Sequence, residues 1–135
     1  KSDRYRAFGW AAARLDDVLN YPCARLTGGL FALSAGLNRR WNGCRALAAM
    51  HRDALHHVSP NAGWPEAALA GALGLALGGR RSYQGRVVDL ATMGSGRAEL
   101  SRHDIDEALL LYQWCLTLTA LLIFCLLLLC VTLAL

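Results

Sequence analysis

Apolar residues recur at helical spacing from the start of the chain. Phe8, Ala12, Leu15 and Leu19 fall on one face of a helix predicted over residues 4–20, and Asp3, Arg6, Trp10, Arg14 and Asp17 gather on the other. Pro22 is expected to break that helix. Residues 26–38 then run 13 positions without a charge, bounded by Arg25 and by Arg39-Arg40, and contain Gly28-Gly29. That run is short for a membrane span, so it reads as a re-entrant, buried or interfacial helix. Residues 44–58 form another amphipathic pattern, with Leu47, Met50, Ala54, Leu55 and Val58 on its apolar side.

The densest cluster of turn-forming residues follows, Ser59-Pro60-Asn61-Ala62-Gly63-Trp64-Pro65-Glu66. Pro65 suits the first turn of a helix and Glu66 its positive dipole end. That helix is predicted over residues 67–77, stopping at Gly78-Gly79. Ala70, Gly74 and Gly78 then make a small-residue stripe along it. Residues 80–100 are polar and Gly-rich. Ser101 and Asp104 have the spacing of a helix cap. From there one helix is expected to enter residues 108–135, a run of 28 residues without a charge. As a helix it is about 42 Å long, against a hydrocarbon core of about 30 Å. The fold class expected is therefore all-α, an integral membrane helical protein of about four or five helices. Residues 1–107 would hold amphipathic and membrane-associated helices with polar site loops, and residues 108–135 the transmembrane span.

Composition agrees with that picture. Hydrophobic residues are 55% and charged residues 18% of the 135, more apolar than an ordinary soluble domain. The net charge of +4 is concentrated in residues 1–58, and 13 of the 14 basic residues are Arg. Either a GC-rich coding bias or anion binding accounts for that preference. No basic run interleaves with aromatics, so nucleic acid is not an expected partner. Five cysteines without a CxxC spacing suggest reduced structural thiols. The first residues have no signal-peptide pattern and open as if a segment preceded them.

Several polar residues sit where stability alone would not put them. Trp10 lies between arginines on a charged face, which suggests stacking. Asp16-Asp17 stands near a helix C-terminus, where negative charge is disfavoured, and calls for a partner such as an Arg, a metal ion or a substrate amine. His51, His56 and His57 lack an HExxH spacing and are favoured by the helix dipole in any case. Ser59, Asn61 and Glu66 form a polar trio on a rigid loop beside an apolar helix, either a capped helix entry or a polar site. Residues 94–96 are not a nucleophile elbow, and residues 78–82 are not a P-loop.

Three blocks of residues resemble the C-terminal part of the CobD/CbiB family, the adenosylcobinamide-phosphate synthases of cobalamin biosynthesis. The first is Arg4-Tyr5-Arg6-Ala7-Phe8-Gly9-Trp10-Ala11, continuing through Ala13-Arg14-Leu15-Asp16-Asp17 and Asn20 to Ala24-Arg25-Leu26-Thr27. The second is Arg52-Asp53-Ala54, His57 and Ser59-Pro60-Asn61-Ala62-Gly63-Trp64-Pro65-Glu66-Ala67, running on to Gly74; the third is Leu77-Gly78-Gly79, Tyr83, Gly85 and Gly94. The sequence departs from the family pattern at Pro22-Cys23, Arg80-Arg81, Ala91 and Ser95, and the family's N-terminal membrane half is missing from it.

The resemblance implies an amide ligase of the bacterial inner membrane, multi-pass in its full-length form. It would join adenosylcobyric acid to (R)-1-amino-2-propanol or its O-phosphate, using ATP and Mg²⁺. It implies catalytic roles for Asp16, Asp17, His57 and Glu66, with Asp16 and Asp17 as Mg²⁺ ligands. Substrate contacts would fall to Arg4, Arg6, Trp10, Arg14, Arg25, Ser59, Asn61, Trp64 and Tyr83. The corrinoid substrate, the lipid bilayer and other cobalamin-synthesis proteins would be its partners. The competing reading is a non-catalytic corrinoid-binding fragment or membrane scaffold.

Overall fold

A computed structural model describes residues 6–83 and 85–134, with the side chains of residues 6–8, 83 and 86 outside that description. Helix α1 spans Arg6–Leu37, α2 Gly43–Asp53 and α3 Gly63–Leu73; strands β1, Leu77–Tyr83, and β2, Arg86–Met93, precede helix α4, Arg102–Ala134. A 3-10 turn over Ala54–His56 follows α2. The fold is thus mostly helical, but the expectation of an all-α protein is corrected. The Gly-rich stretch pairs as an antiparallel hairpin, from Leu77 opposite Met93 to Tyr83 opposite Arg86. Its glycines make strands possible here because they mark a bulge as well as a turn. Gly78 and Gly79 stand at the register shift with φ of 90° and 75°. A Cβ on Gly78 would lie 2.3 Å from the Ala91 carbonyl oxygen.

Three boundaries also differ from expectation. Pro22 does not end the first helix: it lies inside α1, which continues to Leu37. The residues around it are exposed, so water can solvate the carbonyl that the missing N–H would have bonded. Residues 26–37 are consequently the second half of α1, and Asn38 lies just beyond it. They are buried against protein at Gly28, Phe31, Ala32, Ser34 and Ala35. Helix α2 stops at Asp53 rather than running to residue 58, because the chain tightens into the 3-10 turn and His57 is extended. Helix α3 begins at Gly63 and ends at Leu73, capped by Gly74 at φ 66°. Gly74 takes the left-handed C-cap role expected of Gly78-Gly79.

Small residues bring the first three helices together. A Cβ on Gly71 would lie 2.4 Å from the Arg45 carbonyl oxygen, and one on Gly43 would lie 2.5 Å from that of Ala32. Ala46, Ala67, Ala68 and Ala70 are all fully buried. Close backbone approach, as in membrane helix pairs, holds this core. Of the predicted stripe only Ala70 is helical; Gly74 is a cap and Gly78 is in β1.

Helix α4 joins the core through Leu111 and Cys115. Its start is fixed as the spacing of Ser101 and Asp104 suggested: Ser101 donates to Asp104 Oδ2 from its backbone N at 2.6 Å and from its hydroxyl at 2.7 Å. One turn on, Arg40 grips Glu107 with Nε at 2.7 Å and with Nη2, and Trp41 Nε1 donates to the same carboxylate at 3.0 Å. Exposed ion pairs contribute little. The nearly buried Trp41 indole, however, has no other partner among the described hydrogen bonds, and an orphaned donor costs about 1–3 kcal/mol. Glu107→Ala is therefore expected to lower Tm by about 5–10 °C in a circular-dichroism melt. An unchanged Tm would show that the clamp is idle. Beyond Cys115 the large apolar side chains of α4 are exposed through Leu133, apart from the half-buried Leu118. Among the described residues α4 is the one helix long and apolar enough to cross a membrane.

Candidate functional site

The loop between the 3-10 turn and α3 is rigid for identifiable reasons. Ser59 Oγ accepts from the backbone N–H groups of Asn61 and Ala62, each at 3.3 Å, a side-chain turn of the kind Ser favours. A Cβ on Gly63 would lie 2.2 Å from the Ala54 carbonyl oxygen, so the loop can fold onto the 3-10 turn only with glycine there. Ser59 N donates to His57 Nδ1 at 2.9 Å. Nε2 is the ring nitrogen left outside this turn. That nitrogen stands 3.4 Å from Glu66 Oε2, in the first turn of α3. The Glu66 side chain is 36% exposed, so its remaining lone pairs are open to a ligand.

Arg25 ties this loop to α1. Its Nη1 donates to Asn61 Oδ1 at 2.9 Å and to the Tyr21 carbonyl at 3.0 Å, and its Nη2 to the Pro60 carbonyl at 3.3 Å. Its guanidinium carbon lies 3.2 Å from the Tyr21 ring centroid and 4.6 Å from that of Trp64. Asn61 completes the tie, donating from Nδ2 to the Asp17 carbonyl at 2.9 Å. Arg25 is thus a positioning residue spent on the fold's own groups. Lys keeps the charge but loses the planar fork and its ring contacts. Arg25→Lys is expected to cost about 1–2 kcal/mol of stability in urea titrations followed by tryptophan fluorescence. A midpoint equal to the parent's would overturn the clamp.

The structure brings together Arg25, His57, Ser59, Asn61, Trp64 and Glu66, and joins them to Asp17 through its backbone. Trp64 Nε1 and Arg25 Nε are buried there without a hydrogen-bond partner among the described residues. The Asp17 carboxylate pairs with Arg14 at 3.6 Å. Asp16 is exposed and accepts from Asn20 Nδ2 at 3.0 Å. Neighbouring positions on a helix diverge by about 100°, so the two carboxylates do not share one ion by default. Among the described residues no group of three or more His, Cys, Asp or Glu side chains converges as a metal site. Trp10 is 64% exposed with the Arg14 guanidinium 5.7 Å from its ring centroid. Arg4 and the side chains of Arg6 and Tyr83 lie outside the described residues.

Asp53 and its partner Arg52, which carried no assigned role in the sequence, form a second polar cluster, where α2 meets the end of β2. Asp53 is 7% exposed and takes Arg52 Nε at 2.7 Å and Nη2 at 2.6 Å, while the Gly94 N–H donates to it at 2.8 Å. Burial pushes its carboxyl upward. The Arg52 hydrogen bonds, the Gly94 N–H and nearby positive charge outweigh that and leave it below the ordinary 3.8. Asp53 thereby pins the end of β2 to α2. With the helix read over residues 44–58 nothing in the sequence signalled Asp53, and the expectation that Asp16-Asp17 stands near a helix C-terminus is corrected, since α1 continues for twenty residues beyond Asp17.

A polar, glycine-fitted loop beside packed small-residue helices, in a chain with one helix long and apolar enough to cross a membrane, defines a mostly helical protein with a candidate polar site. The family model described as CobD/Cbib protein matches residues 1–112. The chain belongs to the CobD/CbiB family. It is 55% identical to the cobalamin biosynthesis protein CobD of Brucella suis over 82% of this chain and 35% of that protein. The CobD protein of Rhodobacter capsulatus is 47% identical over 84% of this chain and 34% of its own length. The cobalamin biosynthesis protein CbiB of Salmonella paratyphi B is 44% identical over 92% and 38%. The chain thus spans little more than a third of the relatives it matches. No solved structure matches it.

Proposed function

We propose that this chain works in cobalamin biosynthesis and carries the amine-handling part of an amide-forming site. The substrates would be a carboxylate of adenosylcobyric acid and (R)-1-amino-2-propanol or its O-phosphate, and α4 would hold the site at the bacterial inner membrane. The observation that carries the chemistry is the His57–Glu66 pair, 3.4 Å apart on a locked loop. An amine reaches its acceptor as an ammonium ion. Glu66, with His57 holding one edge of its carboxylate, can bind that ammonium and take the proton that amide formation releases. The new C–N bond forms as the bond from the acyl carbon to its leaving group breaks. Arg25, Asn61 and Ser59 act by fixing the loop. ATP would supply the activation of the carboxylate, and Asp16 would contribute to holding its Mg²⁺.

The test is a reaction of the full-length protein with adenosylcobyric acid, ATP, Mg²⁺ and either amine, followed by mass spectrometry. Adenosylcobinamide or its phosphate is the expected product. Corrinoid binding without any amide product from either amine would overturn the ligase reading and favour a non-catalytic corrinoid-binding role.

A further inference from the structure

A second concavity lies apart from the His57–Glu66 loop, and none of its walls comes from residues 57–66. It is a cavity of about 370 Å³ bounded by α2, α3 and the turn after β2. Small ligands occupy cavities from about 300 Å³ upward. Its charged walls are Arg45 and Arg52, and no acidic side chain lines it. The two arginines stand seven residues apart on α2, about two helical turns, and so share a face. Apart from Leu75 and Ser95 the rest of the wall is alanine and glycine, and Gly71, Gly74 and Gly96 bring backbone rather than side chains to the space. A Cβ on Gly96 would lie 1.8 Å from the Gly74 carbonyl oxygen.

The two cations are presented differently. Arg52 spends Nε and Nη2 on Asp53, which fixes the guanidinium plane and leaves Nη1 outside the pair. Asp53 is itself consumed by Arg52 and the Gly94 N–H. Arg45 Nη1 would stand 3.9 Å from a Cβ at Gly74, over the end of α3. Among the described residues Arg45 enters no ion pair. Ser95 adds a hydroxyl to the rim. One oriented and one uncommitted guanidinium around a small space without an acid present N–H donors to an anion, with the Arg45 charge balanced by no carboxylate, as the oxygens of a phosphate group call for.

We infer that this cavity is a phosphate-binding site, with Arg45 and Arg52 as its cationic ligands and a small phosphate ester or diphosphate as its occupant. The site is independent of the His57–Glu66 reading and survives its failure. The test is calorimetric titration of the chain in neutral detergent with sodium diphosphate. Saturable binding of one diphosphate per chain is expected. Arg45→Gln should weaken it about tenfold or more, Arg45→Lys should restore part of the loss, and Arg80→Gln, on the exposed hairpin, should leave it unchanged. Absence of saturable heat from the folded chain, or equal weakening by Arg45→Gln and Arg80→Gln, would overturn the site. Repeating the titration in nanodiscs separates the sources of the phosphate. Competition by phosphatidylglycerol but not by phosphatidylcholine assigns a lipid headgroup; equal affinity in both assigns a soluble phosphate compound.

Discussion

Glu66→Gln in the full-length protein is expected to slow amide formation about a hundredfold or more, with the Tm of the protein nearly unchanged. Gln preserves the size of the side chain, and the contacts that hold the loop, from Ser59, Asn61 and Arg25, do not involve Glu66, so the loop keeps its geometry. It has no charge for an ammonium ion and no basicity for the released proton. The loss should fall mainly on kcat at saturating amine and should shrink as the pH rises and more amine arrives already deprotonated. That pH rescue separates a proton-handling role from a structural one. His57→Asn should give a smaller loss, because His57 acts by holding Glu66. Wild-type kcat in Glu66→Gln would sink the assignment and leave both residues as loop scaffolding.

Asp53→Ala is expected to destabilise the chain by about 3 kcal/mol. It orphans the buried Gly94 N–H and releases Arg52 at the same moment. Hydrogen exchange should report the damage locally, with faster exchange along β1 and β2 while α1 stays protected. The pH dependence has a definite sign. The folded-state value of Asp53 is lowered below 3.8, so its stabilisation is complete above about pH 4–5 and is lost as the pH falls through that lowered value. The stability difference between parent and Asp53→Ala should therefore narrow on acidification below pH 4. A constant difference down to pH 2 would show that the carboxylate charge is not what holds the hairpin.

The helical pattern was legible where one face of an element is apolar over several turns. Residues 44–53 and the terminal span are such cases. Pro22 misled because the rule against proline in helices assumes that the freed carbonyl has nowhere to go, and on an exposed helix it has water. The hairpin was hidden because glycine reads as loop, whereas Gly78 and Gly79 here sit inside a strand at a bulge. Membership in the family rested on the ordered blocks at residues 4–27 and 52–74. The loop of residues 59–66 stood out as a polar site because its turn residues and its acid coincide. What no one-dimensional pattern held was pairing across distance. Arg25 meets Asn61, Arg40 meets Glu107 and Asp53 meets Gly94 only once the helices pack. Asp53 was quoted in a motif without a role because its partner lies 41 residues away.

The contact between α1 and the loop draws on what helix formation leaves unspent. A backbone carbonyl has two lone pairs and one helical hydrogen bond uses only one of them. The Asp17 carbonyl takes Asn61 Nδ2 at 2.9 Å. The loop therefore grips α1 by its main chain, and a substitution of the Asp17 side chain would leave that anchor in place.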